Sequence, residues 1–215
     1  MKSVLLIGLG RFGRFMAIKL QELGNEVLAV DRDEAKVNAA LAYVTDAQIG
    51  DSTNEAFIQS VGVNNFDLCV VAIGEDFESS LETVALLHDN GAEHILARAA
   101  TDIHERLLLR NGAEAVIYPV KLAANYAATR YTTDNVIDYL ALTEDFSICE
   151  ITTPAGWVGH SIAELDVRRR HNINIIAIKE GAQMKSMPGP DHVFQMDERI
   201  LILSSNEDAE KFLNY

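Results

Sequence analysis

Short apolar runs and amphipathic stretches alternate along the chain from its start to about residue 118. "SVLLIG", "EVLAVD", "DAQIGD", "DLCVVAIG", "HILARA" and "AVIYP" are each short and apolar enough to be strands covered on both faces. Between them, residues 11–23, 33–42, 54–61, 76–89 and 102–111 carry apolar positions at helical spacing, as Leu81 with Ala85 and Val84 with Leu87 and His88 illustrate. Gly24, Gly62, Gly91 and Gly112 fall where these helices should stop. Six strands alternating with five crossover helices predict an α/β fold, a Rossmann-like doubly wound parallel sheet over residues 1–118.

After Tyr118-Pro119 the pattern changes. "VKLAANYAATRY" is rich in small residues and reads as a helix, with rows Ala123/Ala127 and Tyr126/Arg130 open either to core packing or to close contact with a second copy. Thr133-Asp134 reads as an N-cap pair opening a second helical piece, so residues 119–144 are expected to be crossover helices. From residue 145 to 215 a smaller α+β lobe is expected. It comprises strand "FSICEIT", loop "PAGWVG", one short helix "SIAELDVRR", strand "INIIAIKEG", a turn at Pro188-Gly189-Pro190, strand "RILILSS" and a last helix from Glu207.

Charge narrows the function. With 18 basic and 32 acidic residues the chain carries −14, and its densest basic cluster is only Arg168-Arg169-Arg170, so a nucleic-acid partner would be repelled. Cys69 and Cys149 lie in apolar runs and are expected to be buried free thiols. No stretch has the pattern of a secretory leader or approaches the length of a membrane span, which predicts a cytoplasmic protein.

The first strand ends in "GLGRFG". A lone glycine fingerprint is a weak signal, but this one follows a strand, opens a helix, and is followed 18 residues after Gly13 by Asp31 at the end of the second strand. In that context Gly8 permits the tight turn, Gly10 lets backbone approach phosphate, and Gly13 lets helix and strand pack closely. The free N–H groups and positive end of the helix then face an anion. Asp31 is suited to ribose hydroxyls. A nucleotide is the predicted ligand.

Catalytic machinery is not legible. His88, His94, His104, His160, His171 and His192 are scattered without metal-ligand spacing and read as surface or capping residues; there is no GxSxG, HExxH or Walker lysine. The pattern points to a protein that binds nucleotide without converting it, and no metal site is predicted.

Together, GLGRFG, "VLAVDRDE", "GDST", "VVAIG", "ARA" and "LDVRRRHNINIIAI" resemble the RCK proteins, regulators of potassium conductance that include the cytosolic gating subunits of Ktr/Trk-type potassium uptake systems. The resemblance covers essentially the whole chain. It implies a homodimer, an octameric ring, ATP/ADP or NAD(H) in the first domain, and a membrane potassium-translocating partner that holds the chain at the inner face of the membrane. It further implies that Arg11 lies beside the phosphate chain, with Phe12 packed under the loop. Asp31 would hold the ribose beside Arg32, Asp51 and Ser52 would lie near the adenosine, Ile73 and Gly74 would line the switch point, and Arg98 would face the phosphates. Many such subunits carry a glutamate after the proline that opens the crossover helix, where it helps hold a cation. Val120 stands there instead, so that carboxylate is missing.

The same resemblance implies a cyclic di-AMP site in the C-terminal lobe, at Ile162, Leu165, Val167, Arg168, Ile173, Asn174 and Ile175, with Pro188 as a further wall. Two other functions stay open at this level: a small NAD-dependent oxidoreductase, and a free-standing nucleotide or redox sensor.

Overall fold

Successive residues of the first strand, β1 (Ser3–Ile7), point to opposite faces of a sheet, and each face has its own core. The computed structural model describes residues 1–132, 135–143 and 145–213. Leu5 and Ile7 pack with Cys69 and Val71 of β4 (Leu68–Val71), Ile58 of α3 (Glu55–Val61), Val84 and Leu87 of α4 (Phe77–Asp89) and Leu108 of α5 (Asp102–Arg110). Val4 and Leu6 face the other way, onto Ala17 of α1 (Arg11–Glu22) and Val37 and Ala40 of α2 (Glu34–Ala40). Burial on both faces is why β1 and β4 are continuous apolar runs rather than alternating ones.

With β2 (Glu26–Asp31), β3 (Asp46–Ile49), β5 (Ile95–Arg98) and β6 (Ala115–Ile117), these strands form a six-stranded parallel sheet in the order β3-β2-β1-β4-β5-β6. The order reverses between β1 and β4, the crevice where doubly wound folds bind ligands. The edges depart from expectation: three of the four β3 residues are exposed and none of β6 is fully buried, because an edge strand lacks the neighbours that cover a central one. The four helix-stopping glycines all take positive φ.

The chain divides into two compact units, residues 1–121 and 122–215. Helix α6 (Pro119–Thr132) opens with its proline and buries none of its residues. Where a second helical piece was expected there is a strand, β7 (Val136–Ala141), paired antiparallel with β8 (Phe146–Thr152). Val136, Ile137 and Tyr139 are β-branched or aromatic and suit that pairing. Its proposed N-cap pair, Thr133-Asp134, lies outside the described residues.

The second unit is an antiparallel sheet, β10-β9-β11-β8-β7, with β9 (Asn174–Glu180), β10 (Gln183–Ser186) and β11 (Glu198–Ser205). Strand β10 escaped the sequence reading because all four of its residues are exposed and show no alternation. The single expected helix at 161–169 is two, α7 (Ile162–Leu165) and α8 (Val167–His171), broken where Asp166 turns left-handed at φ 45°. Ser161 and Glu164 form a reciprocal capping box on α7. The unit ends in α9 (Asn206–Leu213), and its core is built on Ile151, Ile173, Phe194, Ile200 and Ile202. Both cysteines are buried free thiols, and burial pushes the Cys69 thiol up to about 12.

Candidate functional site: a nucleotide cleft at the switch point

At the carboxyl ends of β1, β2, β4 and β5 the first unit opens a cavity of about 490 Å³. Eleven of the twelve predicted nucleotide-site residues line it: Gly8, Gly10, Arg11, Phe12, Asp31, Arg32, Asp51, Ser52, Ile73, Gly74 and Arg98. The twelfth, Gly13, works behind the wall. A side chain there would collide with the carbonyl oxygen of Gly8 and meet Ala72 at 3.2 Å, so its lack of one lets α1 begin against the sheet. Gly8 takes φ +98°, and a Cβ on it would press the Ile73 nitrogen at 3.1 Å. A Cβ on Gly10 would meet nothing within 4 Å, so the face it presents to the cavity is open. Gly10 caps α1 with no side-chain hydrogen bond, and the free N–H groups of the first turn remain available for phosphate.

Asp31, the predicted ribose acceptor, also braces the backbone around it. Its Oδ2 accepts the Leu9 N–H at 2.7 Å and its Oδ1 accepts the Asp33 N–H at 2.9 Å, tying the glycine loop to the end of β2. At the adenosine end predicted for the cleft, Thr53 donates its hydroxyl at 2.7 Å and its backbone N–H at 3.0 Å to Asp51, which holds that carboxyl below its ordinary range. The Ser52 hydroxyl lies 2.8 Å from that of Thr83 inside α4. Asp76 caps α4, and the hydroxyl and N–H of Ser79 keep its carboxyl ionised.

The charges sort themselves by partner. Lys36 lies 3.7 Å from carboxylate oxygens of both Asp31 and Asp33, and Arg32 lies 3.8 Å from Asp76. Arg11 and Arg98 have no carboxylate partner among the described residues, although both line the cavity. Arg98 is stacked between the Gly74 backbone, where any Cβ would strike its guanidinium, and the Phe12 ring, whose centroid is 5.7 Å from Cζ. Its Nε is buried with no partner. A buried, unpaired donor is costly, and an anion in the cleft would relieve it. Two free guanidiniums beside an open helix N-terminus therefore suit a chain of phosphates.

Lys36, Thr53, Asp76 and Ser79 line the same cavity and were missed, and Val120 lines it too. Lys36 is one helical turn beyond Asp33 and could have been found from that spacing. Thr53, Asp76 and Ser79 lie within five residues of the predicted Ser52 and Gly74, where the loops after β3 and β4 turn into α3 and α4. Among the described residues no cluster of three or more His, Cys, Asp or Glu could hold a metal ion, and Val120 is exposed at the cavity wall. One histidine contradicts the surface reading: His104 is fully buried in α5, because the helix face that turns it inward packs it against Phe77, with ring centroids 4.8 Å apart.

In the second unit, Val167 and Ile173 belong to the core, at 3% and 1% exposure. Ile162, Leu165 and Ile175 pack against that core, while Arg168 and Asn174 are exposed and Pro188 is half-buried.

The chain matches the TrkA-N domain over residues 4–119 and the TrkA-C domain over residues 148–215. It is 36% identical over 211 residues to the Ktr system potassium uptake protein C of Bacillus subtilis, covering 98% of this chain and 96% of that protein. It is 33% identical to the Ktr system potassium uptake protein A of the same organism, covering 99% and 96%. Among solved structures, the GsuK channel bound to NAD superposes with a TM-score of 0.70 at 16% identity, over 99% of this chain and 39% of that one, which establishes a shared fold.

Proposed function

The chain belongs to the RCK family, joining a TrkA-N to a TrkA-C domain, and on that premise we propose that it is the cytosolic nucleotide-binding subunit that regulates a membrane potassium-translocating protein. The observation that carries the reading is end-to-end similarity to a Ktr potassium uptake protein, in a chain whose switch-point cleft leaves two arginines free for phosphate. ATP, ADP or NAD(H) is the ligand, held by Gly10, Arg11 and Arg98 at its phosphates and by Asp31 at its ribose. Residues 1–118 bind it, residues 119–144 join two copies, and residues 145–215 form the second lobe. Helix α6, which buries none of its own residues in one chain, supports pairing through that segment, and pairs closing into an eight-membered ring complete the proposed assembly. No described helix is long and apolar enough to cross a membrane; in this proposal the potassium-translocating partner holds the chain at the membrane.

A second ligand, cyclic di-AMP, belongs to the same proposal. Exposed Arg168 has no ion-pair partner among the described residues, which supports an anion near the predicted residues of the second lobe.

The proposed role is regulatory, as the similarity to Ktr potassium uptake proteins supports. The test is to identify the nucleotide that co-purifies by mass spectrometry, then titrate ATP, ADP, NAD and NADH by calorimetry and measure potassium uptake in cells lacking the chain. Binding of at least one nucleotide together with altered uptake is the expected result. No binding, unchanged uptake, or sustained NADH oxidation with keto acids would overturn it.

A further inference from the structure

The basic cluster Arg168-Arg169-Arg170 is the densest in an acidic chain, and its three members do different things. Arg169 pairs with Asp166 at 3.0 Å, a contact with the residue that precedes its own helix. Arg170 has no ion-pair partner among the described residues and lines a separate cavity of about 770 Å³, which lies wholly within the second unit. One wall of this cavity is aromatic. The Trp157 and Phe212 rings lie 5.3 Å apart at 40°, and Phe212 is followed at 5.3 Å by the imidazole of His171. Asn135 and the exposed Thr152 bring an amide and a hydroxyl to the same space. Except for Leu165, none of the residues predicted for cyclic di-AMP lines it.

An aromatic wall beside a free guanidinium selects for a ligand with two parts. A flat ring packs against tilted or offset aromatic neighbours, and a planar anion takes the two-pronged donor that arginine offers. In a protein of net charge −14, an arginine without an ion-pair partner among the described residues is a local positive charge, which attracts small anions where polyanions are turned away. We propose that this cavity binds a small aromatic anion, with its ring against Trp157 and Phe212 and its carboxylate or phosphate on Arg170.

The chain has a single tryptophan, and it lines this cavity, so its fluorescence reports this site. The full-length protein is titrated with benzoate and with phenyl phosphate, which separate a carboxylate ligand from a phosphate one. Benzyl alcohol and inorganic phosphate serve as controls carrying the ring alone and the anion alone. A saturable change with at least one aromatic anion, absent with both controls and weakened about tenfold or more in Arg170→Gln, is the expected result. Arg170 is exposed and Arg170→Gln should leave the thermal midpoint in place. Gly10→Val, which disables the nucleotide cleft, should leave the fluorescence response unchanged, so failure of the proposed nucleotide function and failure of this site are read separately. Absence of both heat and fluorescence change at millimolar probe, an equal response to either control, or an Arg170→Gln titration that matches the wild type would overturn the site.

Discussion

The carboxylate of Asp31 accepts the backbone N–H of Leu9 at 2.7 Å, so the residue proposed to hold the ribose also fixes the glycine loop proposed to hold the phosphates. Its other oxygen accepts from Asp33, and the side chain is only 9% exposed. Removing a charged acceptor from such a place costs about 1.5–3 kcal/mol per hydrogen bond. Asp31→Ala is therefore expected to lower the denaturant midpoint as well as nucleotide affinity, and Asp31→Asn, which retains one acceptor oxygen, to lower the midpoint less. Denaturant unfolding with calorimetry on both variants checks this; an unchanged midpoint in Asp31→Ala would remove the loop-anchoring role.

Two glycines of one loop should fail in opposite ways. At Gly10 an added Cβ meets no atom of the chain, so Gly10→Val should fold with a near-native midpoint yet lose at least tenfold in nucleotide affinity, about 1.4 kcal/mol. At Gly13 an added Cβ meets the Gly8 backbone, which cannot swing aside, and overpacking of this kind costs about 1–3 kcal/mol. Gly13→Ala should lose stability first. Equal stability of the two variants in denaturant unfolding would refute the division of labour.

The parts of this fold visible in the sequence are those decided locally or by continuous burial. Leu5, Cys69 and Val71 sit in apolar runs because both faces of a central strand are covered, and the glycine loop is recognisable because its spacing and the flanking strand and helix are adjacent in the chain. What stayed hidden depends on neighbours supplied from far away. Val136 to Ala141 becomes a strand because β8 is there to pair with it, and Gln183 to Ser186, without alternation, becomes one only by pairing with β9. Asp166 breaks a helix through a backbone conformation that its side chain does not announce. In the cleft, the place of Asp31 at the end of the second strand was legible, but its bond to Leu9 and the meeting of Arg98 with Phe12 required the order of the sheet.

Arg11 is exposed, lines the cleft and lacks a carboxylate partner among the described residues, so a bound phosphate would be its principal interaction. A charge-assisted hydrogen bond to phosphate contributes about 1.5–3 kcal/mol, and ATP presents one more phosphate than ADP. Arg11→Ala is expected to weaken ATP more than ADP while leaving the thermal midpoint of the ligand-free protein in place. Calorimetric titration of both nucleotides decides the point: equal losses would mean that Arg11 does not distinguish them.

His104 makes stability depend on pH in a defined direction. It is fully buried, its Nδ1 accepts the Ala100 N–H at 3.3 Å, and its Nε2 is buried with no partner. Burial pushes its pKa below the ordinary 6.5, since a charged imidazole would be desolvated there and a protonated Nδ1 could no longer accept from Ala100. Below 6.5 the unfolded chain binds the proton more readily than the folded one, so stability falls as pH drops from 6.5 to the depressed folded value and is unaffected by this group above 6.5. Asp51, Asp76 and Asp102 have pKa values lowered from 3.8 and do not titrate in that interval. The five other histidines are common to wild type and variant and cancel in the comparison. His104→Asn places an oxygen at the position of Nδ1, keeping an acceptor for Ala100 without a titrating group. Denaturant midpoints measured from pH 7.5 downward should fall more steeply for the wild type than for His104→Asn once the pH passes 6.5. Parallel curves would show that the buried imidazole contributes nothing to the acid sensitivity of the fold.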